Sequence, residues 1–177
     1  MSRKVLMVIA PDQFRDEELS VPRSAFQAQG WQVDVASTRT GEAKGMLGAV
    51  EKVEKDLNTV LNNVYDAVVV VGGMGSPEYL WNDAKLHGIL QALHQQKKVI
   101  AAICLSGAAL AKAGLLNGKQ ATVWEAPESL QALKEGGAQY TGQPVTVDGN
   151  IVTANGPEAA QAFAEAVIER VNALIPA

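Results

Sequence analysis

The sequence predicts a three-layer α/β/α sandwich built on a mostly parallel sheet, with a late β-hairpin. Three observations lead there. Short apolar runs rich in β-branched residues alternate with longer segments of helical period. The clearest run, Ala67 to Val71, is too apolar to face water on either side, as expected of a central parallel strand. Val145 to Ala154 consists of two alternating segments around Asp148-Gly149, a strong hairpin signal. With 177 residues, 47% of them hydrophobic, and no repeats or low-complexity linker, the chain is expected to form one domain over residues 1–177.

Taken in order, Val5 to Ile9 reads as a buried first strand, and Asp16 to Gln29 as a helix stopped by Gly30. Trp31 to Ser37 alternates as a strand, with Trp31, Val33 and Val35 facing one way. Two glycine-containing turns follow, then Ala49 to Leu57 as a strand on the outside of the sheet. After Ala67 to Val71, Gly72-Gly73-Met74-Gly75-Ser76-Pro77 turns the chain into one helix over Glu78 to Gln96. Lys98 to Ile103 is another buried strand, and Ser106 to Ala113 a small-residue helix ended by Gly114. Ala121 to Trp124 is expected as a short strand and Glu128 to Lys134 as a helix closed by Gly136-Gly137. Pro157 to Val171 is an amphipathic final helix with proline near its first turn.

Composition excludes several functions. A net charge of −4 without a basic cluster gives nucleic acid nothing to bind. One cysteine cannot build a disulfide framework or a multi-cysteine metal site. The opening run is too short for a signal peptide and meets Pro11-Asp12 at once, and no segment approaches the length of a membrane span. The expectation is a soluble, cytoplasmic protein with a small-molecule substrate and no cofactor, metal, membrane or nucleic-acid partner.

In open α/β sheets, ligands bind beyond the carboxyl ends of the strands. Cys104 stands at such an end, where Val99 to Ile103 passes into helical sequence with no loop residues to spare. A tight elbow pushes the side chain out of the turn and aims backbone N–H groups at it. On that ground the Cys104 thiol is expected to have a lowered pKa. Gly72 and Gly73 follow the central strand and permit close approach of backbone amides to an oxyanion, although their spacing is not a dinucleotide fingerprint. The two histidines, His87 and His94, share one predicted helix, read as solvated positions, and precede the cysteine. A Cys-His-Glu triad of the amidotransferase kind therefore cannot be built within one chain. Asp16, Glu17 and Glu18 suit the first turn of a helix for dipole reasons alone, and spacing does not choose between Glu17 and Glu18.

Five segments in order resemble the ThiJ/PfpI (DJ-like) superfamily, with its glutamine amidotransferase-like, flavodoxin-like fold. They are Phe14-Arg15-Asp16-Glu17-Glu18 to Pro22, Gly72-Gly73, Ala102-Ile103-Cys104 with Leu110 to Gly118, Val147 to Asn150, and Thr153 to Pro157. The resemblance covers essentially the whole chain. It implies a nucleophile elbow at Cys104, a partner carboxyl at Glu18, oxyanion donors at Gly73 and Leu105, and a homodimer or higher homo-oligomer. Gly72, Trp124 and Glu78 are the expected pocket residues. Leu105 and Trp124 stand where the family's protease-like and redox or glyoxalase-like members carry histidine, and Ser106-Gly107 replaces a more usual Gly-Pro. The function implied is cysteine-dependent chemistry on small reactive carbonyls, glyoxalase- or deglycase-like. The alternatives are a redox-responsive stress or chaperone-like protein, a vestigial small-molecule binder, and a protease or amidase disfavoured by the missing histidine.

Overall fold

β-branched and aliphatic residues at every position after the first make Lys4–Val8 (β1) a strand that must be covered on both sides. The alternation of the strand then divides its side chains: Leu6 and Val8 enter one hydrophobic core, and Val5 and Met7 the other. The computed structural model describes residues 2–176. Met1 and Ala177, the two ends of the expected 1–177 span, lie outside the described residues.

After β1 come Asp12–Phe14 (β2), Asp16–Ala28 (α1), Gln32–Ser37 (β3), Gly41–Gly45 (β4), Val50–Val53 (β5), Lys55–Asp56 (β6) and Ala67–Val70 (β7). They are followed by Ser76–Tyr79 (α2), Ala84–Gln95 (α3), Val99–Ile103 (β8), Gly107–Lys112 (α4), Gln120–Ala121 (β9) and Pro127–Glu135 (α5). Gln139–Tyr140 (β10), the hairpin Val145–Asp148 (β11) and Ile151–Ala154 (β12), and Ala160–Leu174 (α6) complete the order. The seven-stranded sheet runs β11-β12-β8-β7-β1-β3-β6, with β11 antiparallel and the remaining pairs parallel. β7 is its central strand, as its composition predicts. Leu86, Leu90 and Leu93 of α3, Leu110 of α4 and Leu133 of α5 cover one face. Phe26 of α1 and Phe163 and Val167 of α6 cover the other. The result is the α/β/α sandwich expected from the sequence.

Several elements differ from expectation. The helix expected over Glu78 to Gln96 is broken into α2 and α3, because Asp83 accepts a hydrogen bond from the Leu86 amide at 2.8 Å and caps a second start. Ala49 to Leu57 divides between two sheets: β5 pairs with β4 in a small sheet with β2, while β6 pairs with β3 at the edge of the large one. The strand expected over Ala121 to Trp124 stops at Ala121, since the Thr122 amide turns to Thr153 Oγ1 and the Trp124 amide to the Cys104 carbonyl. β2 and β10 are too short to leave a period in the sequence.

Candidate active site

β8 is fully buried from Val99 to Ile103 and delivers the chain to Cys104 at the carboxyl edge of the sheet. Cys104 has φ 62°, a left-handed conformation that costs a non-glycine residue roughly 1–2 kcal/mol. One turn of 3-10 helix, Cys104–Ser106, then leads into α4. Three contacts hold this strained turn. The Trp124 amide donates to the Cys104 carbonyl at 3.1 Å, and the Trp81 indole donates to the Leu105 carbonyl at 2.8 Å. Ser106 Oγ donates to the Val71 carbonyl at 2.7 Å, so its 2.7 Å contact with Ser76 Oγ uses Ser76 as donor. The Trp124 bond fixes the plane of the peptide that carries the Leu105 N–H. That N–H and the Gly73 N–H both favour the anionic form of the Cys104 sulfur.

Glu18 reaches the same point from the first turns of α1. Pro22, four residues on and inside the helix, has no N–H to give the Glu18 carbonyl. The Glu18 side chain is fully buried, and its Oε1 accepts the Gly72 amide at 2.9 Å. Among the described residues Oε2 has no hydrogen-bond partner, and the carboxyl group is a close neighbour of the Cys104 thiol. Geometry thus separates Glu18 from Glu17, which turns outward to the Arg15 guanidinium at 2.7 and 3.1 Å. The hydrogen bond with Arg15 holds the Glu17 carboxyl below its ordinary range.

Burial pushes Glu18 up to about 8, only partly opposed by the Gly72 amide. Burial, followed by the facing Glu18 charge, pushes the Cys104 thiol up to about 12 against the pull of the Gly73 and Leu105 amides. The expected lowering of the thiol pKa is therefore corrected. Two amides and a short helix do not offset desolvation beside a carboxylate. Of the pair, the carboxyl gives up its proton before the thiol does.

Above the thiol opens a largely apolar cavity of about 470 Å³, lined by Cys104, Leu105, Trp81, Trp124, Met46 and Arg15 among others. Gly73 also lines it, while Gly72 lies buried beneath, wedged between Cys104 and Glu18. Glu78, expected in the pocket, is a correction: it is exposed on α2 and does not line the cavity, whereas Pro77 and Trp81 on either side of it do. The histidines are corrected as well. His87 Nε2 lies 2.7 Å from the Trp81 carbonyl and His94 Nδ1 3.1 Å from Asn150 Nδ2, so both are half-buried structural ties. Sequence reasoning misses Arg15, Trp81 and Met46 as site residues. Arg15 sits inside a quoted motif beside Glu17, but nothing in the pattern marks Trp81 or Met46.

The description "DJ-1/PfpI family" matches residues 3–170. The chain belongs to that family. Among DJ-1/PfpI-related sequences, an uncharacterized protein of Methanocaldococcus jannaschii is 49% identical over 95% of this chain and 82% of its own length. A Bacillus subtilis relative named as a proposed cysteine protease is 32% identical over 92% of this chain and 95% of its own. A deglycase of Thermococcus kodakarensis is 30% identical over 86% and 90%. The crystal structure of a ThiJ/PfpI domain protein from Brachyspira murdochii superposes with a TM-score of 0.92 at 32% identity, covering 98% of both chains. Within this family fold, Cys104 occupies the elbow. Among the described residues no helix is long and apolar enough to cross a membrane.

Proposed function

We propose that Cys104 and Glu18 are the reacting pair of a DJ-1/PfpI-family enzyme that consumes small reactive carbonyls, 2-oxoaldehydes or their adducts. The observation that carries this reading is a buried Glu18 carboxyl, one oxygen of which has no hydrogen-bond partner among the described residues, beside a thiol that lines an apolar cavity. A carboxyl near pKa 8 is protonated at neutral pH and can both give and take a proton there. As the sulfur–carbon bond forms, the carbonyl π bond breaks and its oxygen takes the Glu18 proton. The thiol proton replaces it on the carboxyl, so the hemithioacetal forms without net proton change. For a 2-oxoaldehyde, the carboxyl then gives its proton to the ketone oxygen and takes the hydrogen of the former aldehyde carbon, forming an enediol; it next protonates the neighbouring carbon and takes the hydroxyl proton, leaving a thioester. The resulting thioester is hydrolysed by water to a 2-hydroxy acid and free Cys104. The Gly73 and Leu105 amides, which favour the anionic form of the sulfur, stabilise negative charge as it develops. Relatives named deglycases at about this level of identity support the same class.

Consumption of methylglyoxal by the purified protein tests the reading. Turnover is expected to vanish in Cys104→Ser and to fall by about two orders of magnitude or more in Glu18→Ala. Unchanged turnover in either variant overturns it.

A second reading rests on the same carboxyl: protonated Glu18 can donate to an oxygen added to the Cys104 sulfur and so hold a sulfinate. Mild peroxide then adds about 32 Da at Cys104, seen by peptide mass spectrometry. A thiol left unmodified excludes it. Proteolysis receives no such support, because neither histidine lines the thiol cavity: His87 is engaged by the Trp81 carbonyl and His94 by Asn150.

A further inference from the structure

Beside the thiol cavity lies a second one, of about 690 Å³, with a different character: Glu125, Tyr140, Asn155 and Glu158 line it. Arg15, Trp124 and Pro157 line both. Trp124 is thus a shared wall between an apolar chamber that holds the nucleophile and a polar chamber that does not. Its main chain is fixed on both sides, since its amide donates to the Cys104 carbonyl and its own carbonyl accepts Ser129 Oγ. Its side chain is about half exposed, at 47%. The ring packs against Gly156: a Cβ at that position would stand 2.9 Å from Cε3 and 3.1 Å from Cζ3. Gly156 has φ 169°, ordinary extended backbone, so it is the ring's space that a side chain there would invade.

We propose that the Trp124 ring, seated on Gly156, is the partition that selects which electrophiles reach Cys104. While the ring is seated, the thiol chamber is closed off from the polar chamber and admits small, uncharged carbonyls. Removing the ring joins the two spaces into one cleft, which accepts molecules whose reactive end enters the apolar chamber while a bulky polar tail occupies the other. The partition deepens the carbonyl reading by naming the substrate class, small and uncharged. It acts on any electrophile, however, so it can be measured without turnover.

The test compares Cys104 labelling by N-ethylmaleimide and by fluorescein-5-maleimide in the full-length protein, with thermal melts as the check on folding. The main-chain bonds of position 124 survive substitution, so the elbow keeps its geometry in Trp124→Ala. In that variant the rate for the bulky polar reagent is expected to rise about tenfold relative to the small one. Trp124→Phe keeps a flat ring and stays near the wild-type ratio. Gly156→Ala keeps the indole but unseats it, and the ratio changes even where Trp124→Ala fails to fold. A ratio that is the same in wild type, Trp124→Ala and Gly156→Ala overturns the partition. Absence of methylglyoxal turnover in the wild type counts against the carbonyl reading only, and leaves the labelling result to stand by itself.

Discussion

The Gly72 amide donates to Oε1 of Glu18 at 2.9 Å, and so anchors beside Cys104 a carboxyl whose other oxygen has no hydrogen-bond partner among the described residues. A buried carboxyl satisfied at one oxygen and open at the other is costly to ionise, which is why its proton is retained to about pH 8.

That retention has a sign for stability. The unfolded chain releases the Glu18 proton near 4.5 and the folded chain near 8, so between those values the folded state binds more protons. Stability therefore falls as pH rises from about 4.5 to 8, and this contribution levels off above it, by a few kcal/mol in all. Denaturant melts of wild type and Glu18→Gln at pH 5 and pH 8 check this. The glutamine variant keeps an acceptor for the Gly72 amide and cannot ionise, so it should be less sensitive to pH and gain on the wild type at pH 8. Parallel pH curves for the two proteins contradict the assignment.

The same charge governs the thiol. Desolvation is the larger cause of the raised Cys104 pKa, and the Glu18 carboxylate the next. Iodoacetamide labelling of the wild type should thus be slow at pH 7 and still be climbing at pH 10. Glu18→Gln removes the repulsion and moves the whole profile to lower pH. Labelling at pH 9 then becomes about tenfold faster for every pH unit that the profile moves. A profile displaced upward instead means that protonated Glu18 stabilises the thiolate in the wild type.

The chain announces its sheet more clearly than its site. β1, β7 and β8 are buried on both faces, so apolar β-branched runs had no other place to go, and Asp148-Gly149 needed only local turn chemistry to declare the hairpin. Cys104 was legible for the same reason: strand met helix without spare residues, and φ 62° is the outcome. What escaped was set by tertiary contact. Whether a thiol at a helix start is acidified or suppressed depends on what buries it, and Glu18 lies far away in sequence. Glu78 follows a glycine-rich turn next to the site, yet the short α2 presents it to solvent. Trp81 pins the elbow through an indole hydrogen bond from a segment read as continuous helix.

Gly72 is the tightest point of the site. A Cβ there would stand 2.6 Å from Cys104 Cβ, from Glu18 Oε1 and from the Ile103 carbonyl oxygen. The last belongs to a buried strand and cannot give way cheaply. Gly72→Ala is expected to destabilise the fold by about 1–3 kcal/mol and to separate the thiol from the carboxyl. The thermal midpoint reports the first effect and the Cys104 labelling profile against pH the second. A variant with wild-type values of both shows that the close approach is relaxed in solution.

Strain at Cys104 supplies a test that does not depend on chemistry. Its left-handed backbone is unfavourable for any residue with a Cβ and free of that penalty for glycine. Elsewhere in a protein, replacing alanine by glycine normally lowers stability, because the unfolded chain gains freedom. At position 104 the order should reverse: Cys104→Gly is expected to be more stable than Cys104→Ala by about 1 kcal/mol, the relief of strain outweighing the entropy. Both variants lack the sulfur, so lost thiol packing and the altered Glu18 environment largely cancel between them. Chemical denaturation of the two side by side gives the difference directly. If alanine is the more stable, the elbow relaxes out of the left-handed region once the cysteine is gone, and the turn is held by the side chain rather than by the bonds from Trp124 and Trp81.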